Sequence, residues 1–240
     1  MHRVALAVCL GTLAMAGVSR GGTIVVPNAN TATEGASYLD GPFQGAAISL
    51  QWQLAGSQFA SVPVGSQLTA IGFRLDGGDT NEPLTTETFT SWNLQLSASL
   101  NAIGSLSTTF ANNIGAGDTS VYSGPLTILA GSLTGGAGPN PFFFVTFTTP
   151  YIYNGGDVLL TLNHVASNGP SIRTDGVGVS AIGDTVLQND FSAVTGVAEF
   201  YNLPVTAFQF TPTIVTPEPA TWLSLAGGLI VLGWRKRRAA

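Results

Sequence analysis

Charged side chains are scarce in this sequence. They make up 9% of its 240 residues, against roughly a quarter of an ordinary soluble domain. Hydrophobic content is nevertheless 45%, so the deficit is not that of a disordered chain, which combines low hydrophobicity with high net charge. Cations are scarcer still. Between residues 23 and 216 only Arg74 and Arg173 are basic, against twelve acids, a net of −10. A body of that sign repels phosphate backbones, and no nucleic-acid partner is expected.

Thiols and imidazoles are nearly absent too: Cys9, His2 and His164 are the whole complement. The first two lie in a segment that reads as removable, which would leave one histidine and no cysteine. That rules out disulfides, a cysteine nucleophile and a zinc site built from His and Cys. No G-x-x-x-x-G-K-[ST] phosphate loop occurs in the chain, and no G-x-S-x-G elbow occurs in the body from residue 23 to 215. His164 stands alone in LTLNHVASNG and reads as a strand-end residue meeting solvent or a loop carbonyl. A hydrolase working through two carboxylates needs only a suitable separation between them. The acids here fall mostly in turns, where they keep a low-charge protein soluble. No enzyme is expected.

What the sequence does contain is concentrated at its two ends. It opens MHRVALAVCLGTLAMAGVSRGG, with Arg3 as a positive start, Val4 to Ala16 as an apolar stretch, and Ala14-Met15-Ala16 as a small-x-small cleavage pattern. This predicts a secretory signal peptide over residues 1–16, extending to about 22 at most. The last segment, 216–240, reads TPEPATWLSLAGGLIVLGWRKRRAA. Pro217-Glu218-Pro219 cannot continue a helix backward. Residues 220–234 form an apolar run that as a helix would be ~22 Å long, short of a ~30 Å hydrocarbon core. Trp222 and Trp234 bracket it as interfacial aromatics would, and Arg235, Lys236, Arg237 and Arg238 form a cytoplasmic stop. Export at the front and retention at the back agree on one orientation.

Motif, short apolar helix and basic tail, in that order, closely resemble the PEP-CTERM sorting signal of Gram-negative bacteria. The resemblance implies processing near Pro217, Glu218 and Pro219 by an exosortase, a membrane cysteine transpeptidase-like enzyme. Lasting anchorage as a single-pass ectodomain is the alternative. Signal peptidase and exosortase would be the partners, with transient residence in the inner membrane and delivery to the cell envelope or an extracellular polysaccharide matrix.

The intervening body, 23–215, predicts an all-β fold, an antiparallel β-sandwich of jelly-roll-like type. Ile48, Leu50, Trp52 and Leu54 alternate with Ser49, Gln51 and Gln53. Ile71, Phe73 and Leu75 alternate with Gly72 and Arg74, and Trp92, Leu94 and Leu96 with Asn93, Gln95 and Ser97. Phe143, Val145 and Phe147 share a face, as do Thr206, Phe208 and Phe210. Period 2 with one polar face predicts sheets whose outer face meets water. Asn154-Gly155-Gly156 reads as a turn, and 131–141 and 176–183 as loops. Residues 56–77, 106–128 and 149–163 resemble a recurring ectodomain of PEP-CTERM proteins, a resemblance that implies no catalytic or binding residue.

Two binding features remain. Asp76, Asp79, Asn81 and Glu82, in LDGGDTNEP, group oxygen ligands on a Gly-containing loop in a way that suits calcium, though the spacing is not that of an EF-hand. Trp52, Trp92, Tyr151 and Tyr153 could offer stacking faces to sugars or pack in the core. The expected role is structural or adhesive, with a carbohydrate- or calcium-dependent binding module as the alternative and no other cofactor.

Overall fold

The computed structural model describes residues 21–178, 181–198 and 202–213. Among them there is no α-helix, and the strands run in chain order as follows. They are β1 (Gly22–Val26), β2 (Ser37–Leu39), β3 (Ile48–Leu54), β4 (Gln67–Phe73), β5 (Glu87–Ala98), β6 (Thr119–Ile128) and β7 (Phe143–Ile152). Then come β8 (Val158–His164), β9 (Thr174–Val177), β10 (Gly183–Gln188), β11 (Val197–Ala198), β12 (Leu203–Pro204) and β13 (Thr206–Thr211). All pairings between them are antiparallel.

One sheet has the order β1-β13-β4-β7 and the second β11-β10-β3-β8-β5-β6, while β12-β9-β2 forms a small third sheet. The body is therefore an antiparallel β-sandwich, as the alternation predicts. Neighbours such as β4 and β7, or β3 and β8, are far apart in sequence, so the chain crosses between layers rather than meandering.

The inner faces meet through the residues the period-2 pattern selects. Trp52 on β3 lies edge-on to Phe73 on β4, ring centres 6.3 Å apart. Phe43, in the short turn before β3, packs edge-on against Phe73 at 5.3 Å and Phe143 at 6.0 Å. Phe59 stacks on Tyr153 at 5.2 Å and touches Phe208 at 5.5 Å. Each such side chain, fully buried, stabilises the fold by about 1.5–3 kcal/mol relative to exposure. β8 lies at the centre of the larger sheet, with Leu160 opposite both Trp52 and Leu96. The turn into β8 requires glycine, because Gly155 and Gly156 have φ of +87° and +79°.

Three expectations need correction. The polar face of β3 does not meet water. Gln51 and Gln53 are fully buried under the segment between β5 and β6, which lays Leu106 and Phe110 against Leu159 and Val186 as a second small core. The Gln51 amide is bonded through both its nitrogen and its oxygen, whereas Gln53 is bonded through its nitrogen and its Oε1 has no partner among the described residues. Gln51 Nε2 donates to Phe110 O (3.2 Å) and Thr161 Oγ1 (2.9 Å), and Gln51 Oε1 accepts from Asn113 Nδ2 (2.8 Å). Gln53 Nε2 donates to Ser99 Oγ (2.7 Å) and Asn101 O (2.6 Å).

The second correction concerns the 176–183 loop, whose ends are strand. Gly176 and Val177 finish β9, and Gly183 begins β10. Gly176 reads as loop in the sequence, but its missing Cβ lets it pair closely with Ser37 of β2. Third, Arg74 does not point to solvent; it is 1% exposed.

Candidate functional site

Arg74 follows directly on β4, where the strand's alternation would turn it outward. It is instead covered by β9 and by the loop before β2. Its guanidinium meets Asp175 of β9, 0% exposed, with Nε 2.8 Å and an Nη 2.7 Å from Oδ2. The same Nη group donates to Thr33 O at 2.7 Å, and the Gly35 amide donates to Asp175 Oδ1 at 2.8 Å. Phe142 lies under the guanidinium, its ring centre 5.1 Å away. A buried ion pair needs such additional bonds to offset the desolvation of both charges.

Two further acids crowd this pair. One carboxylate oxygen from each of Glu34, Asp76 and Asp175 lies within 4.8 Å of the others. Both oxygens of Glu34 are shielded from solvent beneath Gly77 and Gly138, and a Cβ at Gly138 would overlap Glu34 Oε2. Burial, and then the Asp175 charge, push the Glu34 carboxyl up to about 7, against the pull of Arg74 and the Gly77 amide. Burial also raises the Asp76 carboxyl, with Asp79 and Asp175 adding to it. Burial raises Asp175 as well, opposed by Arg74 and the Gly35 amide. Three carboxylates crowd one guanidinium, and all three carboxyls are raised above their ordinary values.

Hard cations such as Ca²⁺ use oxygen donors of this kind, but take six to eight of them. The cluster offers three carboxylates, one already bound to Arg74. Of the four residues grouped from the sequence, only Asp76 joins it. Asp79 and Glu82 line a neighbouring cleft with Arg173. Asn81 Oδ1 accepts from the Gly135 amide at 2.7 Å, and Glu82 exchanges backbone hydrogen bonds of 2.9 Å with Leu133. Glu34, Arg74 and Asp175 are absent from the sequence-level grouping. The one available signal was a lone arginine inside an apolar strand pattern, a residue that is seldom exposed without purpose when a chain has so few cations.

His164 meets a carbonyl, as expected, but inside the core and not at solvent. It is fully buried. Nδ1 lies 2.9 Å from Val165 O and Nε2 3.2 Å from Gly41 O, and Phe89 packs edge-on with ring centres 4.7 Å apart. Burial holds its imidazole below the ordinary value, although both carbonyl contacts favour the charged form.

Trp52, Trp92, Tyr151 and Tyr153 are all buried, and Trp92 Nε1 donates to Pro42 O at 3.0 Å. They pack the core and present no face to a sugar. The exposed aromatic among the described residues is Tyr38, on a strand too short to announce itself by periodicity.

The signal peptide, Pro217, Glu218 and Pro219, the apolar run, and Arg235, Lys236, Arg237 and Arg238 all lie outside the described residues. Among those that are described, no helix is long and apolar enough to cross a membrane. No curated protein matches the chain. Residues 215–238 match the PEP-CTERM protein-sorting motif, which implies exosortase-dependent sorting of an exported protein to the envelope or the exterior.

Proposed function

We propose that this is a non-enzymatic exported protein that an exosortase sorts to the cell envelope or an extracellular polysaccharide matrix, where its sandwich has a structural or adhesive role. The observation that carries the reading is the motif match over residues 215–238, at the opposite end of the chain from a signal-peptide pattern. Signal peptidase removes the leader, and the apolar run after Pro219 holds the C-terminus in the inner membrane. Arg235, Lys236, Arg237 and Arg238 keep the tail cytoplasmic. The exosortase then cuts near Pro217, Glu218 and Pro219, and the apolar tail is discarded as in other cleaved C-terminal signals. The sandwich suits such a destination. Without disulfides it depends on core packing alone, and its buried aromatics supply that.

Replacing Pro217, Glu218 and Pro219 together with alanine leaves export and the basic stop intact. The expected result is uncleaved protein in the inner membrane of the native host. Intact mass decides it: the wild type loses about 16 N-terminal residues and everything beyond about Pro219, while the variant keeps its tail. Normal maturation of the variant would refute the sorting role of the motif. A wild-type mass that retains Trp222 to Ala240 would make the protein a permanently anchored ectodomain.

A second reading, a carbohydrate-binding module of the matrix, is favoured by the exposed Tyr38 and the cleft it lines.

A further inference from the structure

The described body has two cationic side chains, Arg74 and Arg173. Arg74 is locked in the buried pair, and Arg173 is exposed. Among the described residues Tyr38, at 45% exposure, is the exposed aromatic. These two rare surface groups meet: the Arg173 guanidinium sits 4.6 Å from the centre of the Tyr38 ring. A cation–π contact of this kind places a planar donor fork over an aromatic ring.

A cleft opens beside each partner. The first, about 230 Å³, is lined by Tyr38, Asp40, Gln44 and Asn202 over an apolar floor of Leu39 and Leu187. The second, about 200 Å³, is lined by Arg173, Asp79, Thr80, Glu82 and Ser171. Gln44 is held in place, its Nε2 donating to Asn189 Oδ1 at 3.1 Å. Burial raises the Asp40 carboxyl, opposed by Arg173 and reinforced by Asp79, both of which line the second cleft.

The chemistry of these walls selects a ligand class. A polyanion is disfavoured by a body charge of −10. A purely apolar ligand would strand the carboxylates, amides and guanidinium without partners. A neutral polyhydroxylated ring satisfies both demands. Its C–H face packs on the aromatic and leucine surface, and its neighbouring hydroxyls bridge carboxylate, amide and guanidinium groups. Each cleft is smaller than the ~300–1,000 Å³ typical of drug-sized pockets, which suits one sugar ring apiece. We infer that the Tyr38–Arg173 stack and its flanking clefts form two adjoining subsites for successive residues of a neutral polysaccharide. This rests on the exported placement proposed above and assigns that placement a ligand.

The test uses the protein purified from its native host, in whichever form intact mass shows. Binding is read by retardation in native gels containing dextran, xylan, galactomannan or a soluble β-1,3-glucan, with alginate as the acidic comparison. At least one neutral polymer should retard the wild type. Tyr38→Ala should abolish the retardation, and Arg173→Ala and Gln44→Ala should each weaken it about tenfold. All three residues lie at the surface, and thermal melts confirm folding; were Tyr38→Ala to unfold, the other two decide. No retardation by any neutral polymer, retardation by alginate alone, or variants that bind like wild type would overturn the inference. Mass reports sorting and the gel reports binding, so either reading can fail without the other.

Discussion

Glu34→Gln separates the electrostatics of the acidic cluster from its packing. Gln keeps the shape of the side chain and removes its charge. Glu34 titrates at about 7 in the folded protein, against 4.5 for the free side chain. Between those values the folded state holds a proton that the unfolded state has lost. The site's contribution to stability is therefore fully present below about pH 4.5 and is lost as pH rises through about 7. Above 7 the folded protein must bear an ionised Glu34 beside Asp175 and Asp76. At 1.36 kcal/mol per unit the whole shift corresponds to about 3.4 kcal/mol. The partly exposed stem admits solvent screening, which reduces the expected effect to about 1–2 kcal/mol. For a body of this size that is a rise in Tm of roughly 2–8 °C. Thermal melts of wild type and Glu34→Gln across pH 4 to 8.5 should coincide at the acidic end, diverge between about pH 4.5 and 7, and keep a constant gap above that, the variant being the more stable. A variant equal to or less stable than wild type at pH 8, or a gap that does not change with pH, would refute the account of Glu34 as a carboxyl raised by burial and by the Asp175 charge.

The Arg74–Asp175 pair should respond in the opposite sense to loss of a partner. Arg74→Met leaves Asp175 buried without a counter-charge and should cost about 3–5 kcal/mol in denaturant unfolding, most of it recovered by adding Asp175→Asn. A loss below about 1 kcal/mol, or no recovery, would mean that solvent already reaches the carboxylate. His164 should produce an acid limb. Its folded pKa lies below the ordinary 6.5, so its stabilising contribution is present above about 6.5 and disappears as pH falls through the folded value. Titration of the imidazole by NMR should show the lowered midpoint, and a midpoint above 6.5 would show that the two carbonyls hold it charged.

Strand positions were legible because period 2 is a local property. Ile48 to Leu54, Trp92 to Leu96 and Phe143 to Phe147 needed only the alternation of side chains to be placed on a core face. What lies over the other face is not local, and Gln51 and Gln53 look like solvent-facing residues until the segment between β5 and β6 folds across them. Asp76 and Asp79 were noticed because they are neighbours in sequence. Glu34 and Asp175, separated from each other by 140 residues of chain, become neighbours only when β9 pairs with β2. Tyr38 and Arg173 meet through that same pairing, whereas the four more conspicuous aromatics were drawn inward by their own apolar surface.

The sequence by itself determined the β class, the strand faces and the sorting motif over 215–238. Each of these depends on residue type, on spacing within a few residues, or on a linear signal that a processing enzyme reads from an extended chain. Only the tertiary structure decided which polar groups are buried, which acids crowd one another, and which aromatic and cation remain at the surface. Burial and Coulomb interactions depend on distance in space, and that distance is set by strand pairings between residues more than a hundred positions apart.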